Sequence, residues 1–304
     1  MRPLRSPRRR LATVLAVLLL SAGGVYAQQI WVGTNFFRGE GNMPPKWATL
    51  ADFDGSFVYC RAYYTNGFGG GNGFGFRGGR GGRGGRGGGG GGGSWRTDYP
   101  GADNNFSVRL AELTRVKVRF DENRLPNYAV VSLTDPLLYR CPILFMEAVQ
   151  SLRFEDDELK PLREFLLKGG FLWVDDFWGS AAWENWASEI SRVLPPREYP
   201  IIDIPVTHAI MHTLYQVTEI PQVPAISFWR SNGGATSERG FDSAEVHFRG
   251  ILDSHGRIMV LITHNTDISD TWEREGEEPK AYFDLFSPRG YAIGVNVILY
   301  AMSH

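Results

Sequence analysis

Two short stretches hold the residues whose types could do chemistry. "FLWVDDFWG" sets Asp175 beside Asp176 at the end of an apolar run. "LITHNTDISDTWE" ends a second apolar run in His264, Asn265, Asp267, Asp270 and Glu273. Paired acids and an imidazole can activate water without a covalent intermediate, with or without a divalent metal. In such a hydrolase Asp176 and His264 are the candidate catalytic residues, and Asp267 would orient the imidazole. Asp175, Asp176, His264, Asn265 and Asp267 equally make a ligand-binding set. A local role competes at each position. An Asp can cap the helix that follows, Asn265 and Asp267 can hold an Asx-turn, and His264 can be bonded within the core. Alternation along a strand sends Asp175 and Asp176 to opposite faces, so Asp176 is expected to face the cleft alone.

Other chemistry-bearing residues carry weaker patterns. His208 and His212 stand at i and i+4 in "THAIMH" but lack the Glu of a His-Glu-x-x-His zinc motif. His247 and His255 have no motif around them, and no metal site is expected. Trp173, Trp178, Trp183 and Trp186 surround the acid pair, as pocket walls or as core. Cys60 and Cys141 are the whole cysteine complement, too few for a zinc finger. Two buried thiols are expected, one inside a strand and one at the edge of another.

Positioning these residues falls to a β-then-α rhythm. "GSFVYCRAYY" (55–64), "PILFMEA" (142–148) and "FLWVDD" (171–176) read as buried strands. "VKVRF" (116–120) alternates as a short one. Asp103 or Asn104 can cap a helix that buries Phe106, Leu110 and Leu113. "FEDDELKPLREFLLKGG" has acids in its first turn and a Lys-Gly-Gly stop, and "GSAAWENWASEISRVLP" is the next helix. "PAISFW" (224–229), "AEVHFRGIL" (244–252) and "GRIMVLITHN" (256–265) read as further strands. "SPRGYAIGVNVILYAM" (287–302) reads as a buried helix capped by Ser287. The fold expected is α/β, a mostly parallel sheet sandwiched by helices. A chain of 304 residues with nine Trp and nineteen Phe can fill that core.

The N-terminus has a different logic. "MRPLRSPRRR" followed by "LATVLAVLLL" and "VYAQQ" reads as a signal peptide, residues 1–27, cleaved after Ala27. Its apolar run is too short for a stable span; left uncleaved, it would keep the chain membrane-associated. The mature chain is expected outside the cytoplasm, periplasmic or extracellular. Residues 28–54 form an N-terminal segment, and residues 55–304 a single α/β domain. Into that domain residues 66–94 insert a Gly/Arg-rich loop, expected to be disordered. Its Arg77, Arg80, Arg83 and Arg86 resemble RNA-binding repeats. Losing residues 1–27 removes five arginines, however, and moves the formal charge from −1 to −6. An acidic chain is a poor polyanion binder, so no nucleic-acid partner is expected.

Six stretches in order, "WRTDYPGADNNFSVRLAELT", "LLYRCPILFMEA", "LREFLLKGGFLWVDDFWG", "HAIMHTLY", "LITHNTDISDTWE" and "GYAIGVNVILYAM", resemble the bacterial DUF4159 family across roughly residues 55–302. The resemblance implies a class I glutamine amidotransferase-like, flavodoxin-like sandwich and leaves the activity open. In a glutaminase-like fold a Cys sits on the sharp turn after a central strand. The corresponding turn here holds Asp175 and Asp176, so thiolate amidotransferase chemistry is not expected. Members resembling this chain belong to cell-envelope systems, which implies an envelope protein partner. The leading expectation is thus an exported, non-catalytic domain binding a ligand or partner in a strand-end cleft. The hydrolase using Asp176 and His264 is the alternative, and no cofactor is assigned.

Overall fold

A computed structural model of the chain describes residues 43–66 and 95–304. The signal segment, and all but Asn66 of the glycine-rich insertion with its four arginines, lie outside the described residues. The described residues all belong to one compact unit.

Short runs of two to seven residues, most of them apolar, become the strands. These are β1 (Tyr59–Tyr63), β2 (Thr65–Asn66), β3 (Tyr128–Ser132), β4 (Leu144–Glu147), β5 (Leu152–Arg153), β6 (Leu172–Asp175), β7 (Ile201–Asp203), β8 (His247–Leu252) and β9 (Ile258–His264). Seven of them make one sheet in the order β3-β1-β4-β6-β9-β8-β7, and β2 pairs with β5 apart from it. The first five strands of that order are parallel to their neighbours, while β8 and β7 join antiparallel. Lys46 and Ala48 hydrogen-bond the backbone of Val130, which covers the β3 edge with chain.

Helices α1 (Gly101–Leu113), α2 (Asp156–Leu167), α3 (Ser180–Val193), α4 (Ile226–Ser231), α5 (Asp270–Glu273) and α6 (Lys280–Ser303) complete the α/β fold. Alternation splits the core between the two faces of the sheet. Leu144, Met146, Leu172 and Val174 face α2 and α3, with Phe165, Trp186 and Ile190. Tyr59, Phe145, Trp173 and Leu261 face α1 and α6, with Phe106, Trp272 and Val295. The tryptophans around the acid pair therefore divide: Trp173 and Trp186 are core on opposite faces.

Two glycines set how closely α6 lies on the elements beneath it. A Cβ on Gly290 would stand 1.9 Å from Thr271 Oγ1, and one on Gly294 would stand 2.6 Å from the Phe106 ring. Only hydrogen fits there. The approach fixes α5, and with it Asp270 and Glu273, over the end of the sheet.

Several expectations are corrected. Cys60 and Cys141 are disulfide-bonded, not free thiols. Their Cα atoms are 5.9 Å apart across β1 and the turn ahead of β4, a distance that spacing along the chain cannot show. "VKVRF" forms isolated bridges rather than a sheet strand. "PAISFW" becomes α4, because the Asp270 carboxylate accepts the Ile226 N–H at 3.2 Å and starts a helix after Pro224. Leu113 is exposed. The last helix starts at Lys280, and the Ser287 hydroxyl inside it donates to Thr271 O instead of capping. His208 and His212 do not share a helix face: His208 caps a single turn, accepting from Ile210 N.

Candidate functional site

Three adjacent parallel strands end alike. The residue after β4, after β6 and after β9 is left-handed: Ala148 (φ 53°), Asp176 (φ 52°) and Asn265 (φ 63°). Such a residue turns the chain sharply off the sheet, at a cost of roughly 1 kcal/mol or more for a residue with a side chain. Asp98, just after the glycine-rich insertion, is left-handed too (φ 60°). These turns gather the polar residues along the carboxyl edge of the sheet, where open α/β folds bind ligands.

The two stretches singled out by sequence do meet there. Asn265 Oδ1 accepts the Gly179 N–H at 2.8 Å, Asn265 N donates to Phe177 O at 3.0 Å, and Asn265 Nδ2 donates to Glu245 O at 2.7 Å. His264 Nε2 is 3.1 Å from Gly179 O. A carbonyl only accepts, so that nitrogen carries the proton and Nδ1 is left bare. Nδ1 finds no donor. The ring lies among Phe177, Trp183 and His247. Burial holds its pKa down to about 4, so it is neutral at physiological pH. His264 does not serve Asp176. It pins the start of α3, as does Asn265.

Asp175 and Asp267 are also spent locally. Thr263 Oγ1 donates to Asp175 Oδ1 at 2.5 Å and Ser269 N to Asp175 Oδ2 at 2.9 Å. Asp267 Oδ1 accepts the Asp270 N–H and the Ser269 hydroxyl, both at 2.9 Å, which caps α5. Neither acid of the pair caps α3; Asp242 accepts the Ser180 N–H at 3.0 Å. Asp176 differs from the other four. It is half-buried, and its carboxylate takes the Trp178 indole N–H at 3.0 Å. Its pKa lies well above the ordinary value, through burial first and then the charges of Glu238 and Asp175.

Sequence reasoning missed the other half of this edge. Arg61, fully buried on β1, grips Asp103 with Nε and Nη2 and pairs through Nη1 with Glu147 and with Thr97 O. That grip holds segment 97–103 against the sheet and brings Asp98 in. Ser269 Oγ lies 2.9 Å from both Asp98 Oδ2 and Asp267 Oδ1. One hydroxyl proton cannot serve two carboxylates, so this corner needs a proton or a cation. Burial, then Asp270 and Asp176, push the Asp98 pKa well up. Asp267 is raised by burial and then by Asp176, Asp270 and Asp98. No local motif marks Asp98, Glu147 or Glu238; Arg61, an Arg inside an apolar strand, was the available signal. Two surface hollows, one lined by Ile190, Leu194 and Ile201 and the other by Lys46, Arg119 and Asn127, include no residue of this edge.

Among the described residues no helix is long and apolar enough to cross a membrane. No curated protein matches the chain in sequence. Residues 87–302, which include every acid of this edge, match a domain of unknown function, and the chain belongs to that family, DUF4159.

Proposed function

We propose that this is an exported domain that binds a ligand or a cell-envelope protein partner at the carboxyl edge of its sheet, without turning a substrate over. Asp176 carries the reading. It occupies the sharp turn between β6 and α3, where covalent enzymes of related architecture hold a nucleophile. Its carboxylate is half-buried and lies within reach of the charges of Glu238, Asp175 and Asp270. A carboxyl group pushed toward its neutral form is a poorer nucleophile and can still recognise a ligand through hydrogen bonds. Both cysteines are bonded to each other, so neither supplies a thiolate. The hydrolase alternative is weakened at its base: His264 is buried among Phe177, Trp183 and His247 with its pKa held down to about 4, and its bare Nδ1 makes no hydrogen bond to Asp176. The mostly parallel sheet with helices on both faces supports the glutaminase-like, flavodoxin-like resemblance.

Export is supported by the basic-then-apolar start of the chain and by the disulfide, which suits an oxidising compartment. N-terminal sequencing of the exported protein should begin at Gln28. Full-length chain in the cytoplasmic fraction would refute export. For the site, a thermal-shift screen against sugars and cell-wall fragments, with a pull-down from the envelope, should find a ligand or partner whose effect disappears in Asp176→Asn. Turnover of an amide or glycoside that Asp176→Asn abolishes would overturn the non-catalytic reading.

A further inference from the structure

Three carboxylates from two segments converge above the carboxyl edge. Asp98 comes from the chain entering α1, and Asp270 and Glu273 come from α5; one oxygen of each lies within 4.8 Å of the others. A second observation lies beneath them. Glu147 is 1 % exposed, yet its Oε1 has no hydrogen-bond partner. Strand register puts Glu147 beside Asp175, and β1 opposite β4 puts Arg61 on the same face. That face lies under α1 and α5, and the Asp98 and Asp103 charges act on Glu147 from above. The side chain that carries the bare oxygen thus lies on the face of the sheet that these acids cover, close to Asp98.

We propose that this set binds a calcium ion, with Asp98, Asp270 and Glu273 as ligands and Glu147 Oε1 facing the ion from below, directly or through water. All donors are oxygens, with no imidazole or thiolate among them, which selects a hard cation. The number of carboxylates favours calcium over magnesium: Ca²⁺ takes about six to eight oxygen ligands, whereas Mg²⁺ usually keeps several waters and one or two carboxylates. Arg274 pairs with Asp270 and Glu273 and offsets part of their charge. Asp176 and Asp267 add to it again, since both act on or beside Asp98. The inference rests on the strand-end reading above and names the ligand chemistry of that edge.

Trp272 lies between two of the ligands in sequence and is buried against α1, so it can sensitise terbium luminescence. The full chain is titrated with Tb³⁺ and then with Ca²⁺ as competitor, in wild type, Asp98→Asn, Glu273→Gln and Asp176→Asn. Saturable emission displaced by Ca²⁺ is expected in wild type. Affinity should fall by about tenfold or more in Asp98→Asn and in Glu273→Gln, each of which removes a charged ligand, and much less in Asp176→Asn. Circular dichroism checks the folding of each variant, and the midpoint of wild type with millimolar Ca²⁺ gives a readout that needs no variant. Absence of a calcium-induced rise, or emission indifferent to both ligand substitutions, overturns the proposal. If calcium fails while another ligand depends on Asp176, the cation inference alone falls. If calcium binds and nothing depends on Asp176, the cation site stands and the Asp176 reading falls.

Discussion

The carboxyl edge of the sheet has two halves that are alike in composition and opposite in accounting. Toward α3, Asn265 uses both side-chain groups and its own N–H on protein partners, and Gln222 Nε2 donates to its carbonyl at 3.2 Å. His264 spends its proton on Gly179 O. Toward α1 and α5, one Ser269 hydroxyl faces two carboxylates, Glu147 Oε1 is bare, and Asp98, Asp270 and Glu273 crowd one another. Polarity at a strand end therefore does not identify a site. What separates the halves is charge: the one bare acceptor of the first half, His264 Nδ1, belongs to a neutral ring, whereas the second half gathers carboxylates. The first half is a clasp; the second holds charge that something from outside can neutralise.

The strongest way to break the comparison is Asn265→Ala. It strips partners from the Gly179 N–H and the Glu245 carbonyl and puts Ala at φ 63°. Orphaned buried groups at about 1–3 kcal/mol each, with left-handed strain added, predict a loss of about 4 kcal/mol in urea unfolding. Asn265→Gly keeps the turn and should recover only the strain. A loss below about 1 kcal/mol would mean that water replaces these bonds and that the clasp is no clasp.

A smaller effect tests the same half through pH. His264 is held at about 4 in the fold, against 6.5 for an ordinary His. Between those values the unfolded chain binds a proton that the folded chain refuses, so stability rises with pH across that window. Acidifying from pH 7 to pH 4 should cost up to about 3 kcal/mol through this residue. His264→Gln should flatten that part of the profile. Parallel profiles for wild type and variant would show that the ring is hydrated and not part of the clasp.

How much of this was legible depends on where the determinants lie. β4, β6 and β9 are continuous apolar runs, and α2 carries its own start in Asp156, Asp157 and Glu158 and its own stop in Gly169 and Gly170, so each could be read locally. β3, "YAVVS", went unread although it is as apolar as β4 and β6; its place shows only in its pairing with β1, from Tyr59 beside Tyr128 to Tyr63 beside Ser132. α4 was misread because its start signal is the Asp270 carboxylate, 44 residues away. The site divides in the same way. Asp175, Asp176 and the 264–267 turn announce themselves as polar residues at the ends of apolar runs. Asp98 does not, because Arg61 brings it in from across the insertion through Asp103 and Thr97. Sequence also could not tell the spent residues from the unspent, since Asn265 and Asp176 look alike until their partners are known.

The smallest predicted effect sharpens the comparison most, because its sign is reversed. Asp98→Asn keeps the shape of the side chain and removes one charge from the crowded corner. Asn tolerates the left-handed backbone at φ 60°. Its amide N–H can donate where Asp98 could only compete with Asp267 for the Ser269 proton. In calcium-free buffer near neutral pH the variant should therefore be more stable than wild type, by about 1 kcal/mol for one relieved carboxylate contact. Adding calcium should reverse the order, since only wild type gains from the ion. Loss of stability in calcium-free buffer, comparable to that of Asn265→Ala, would mean that the carboxylates already satisfy one another by sharing protons. The two halves of the edge would then differ in residue type alone, and the case for an outside ligand at Asp98 would go with the difference.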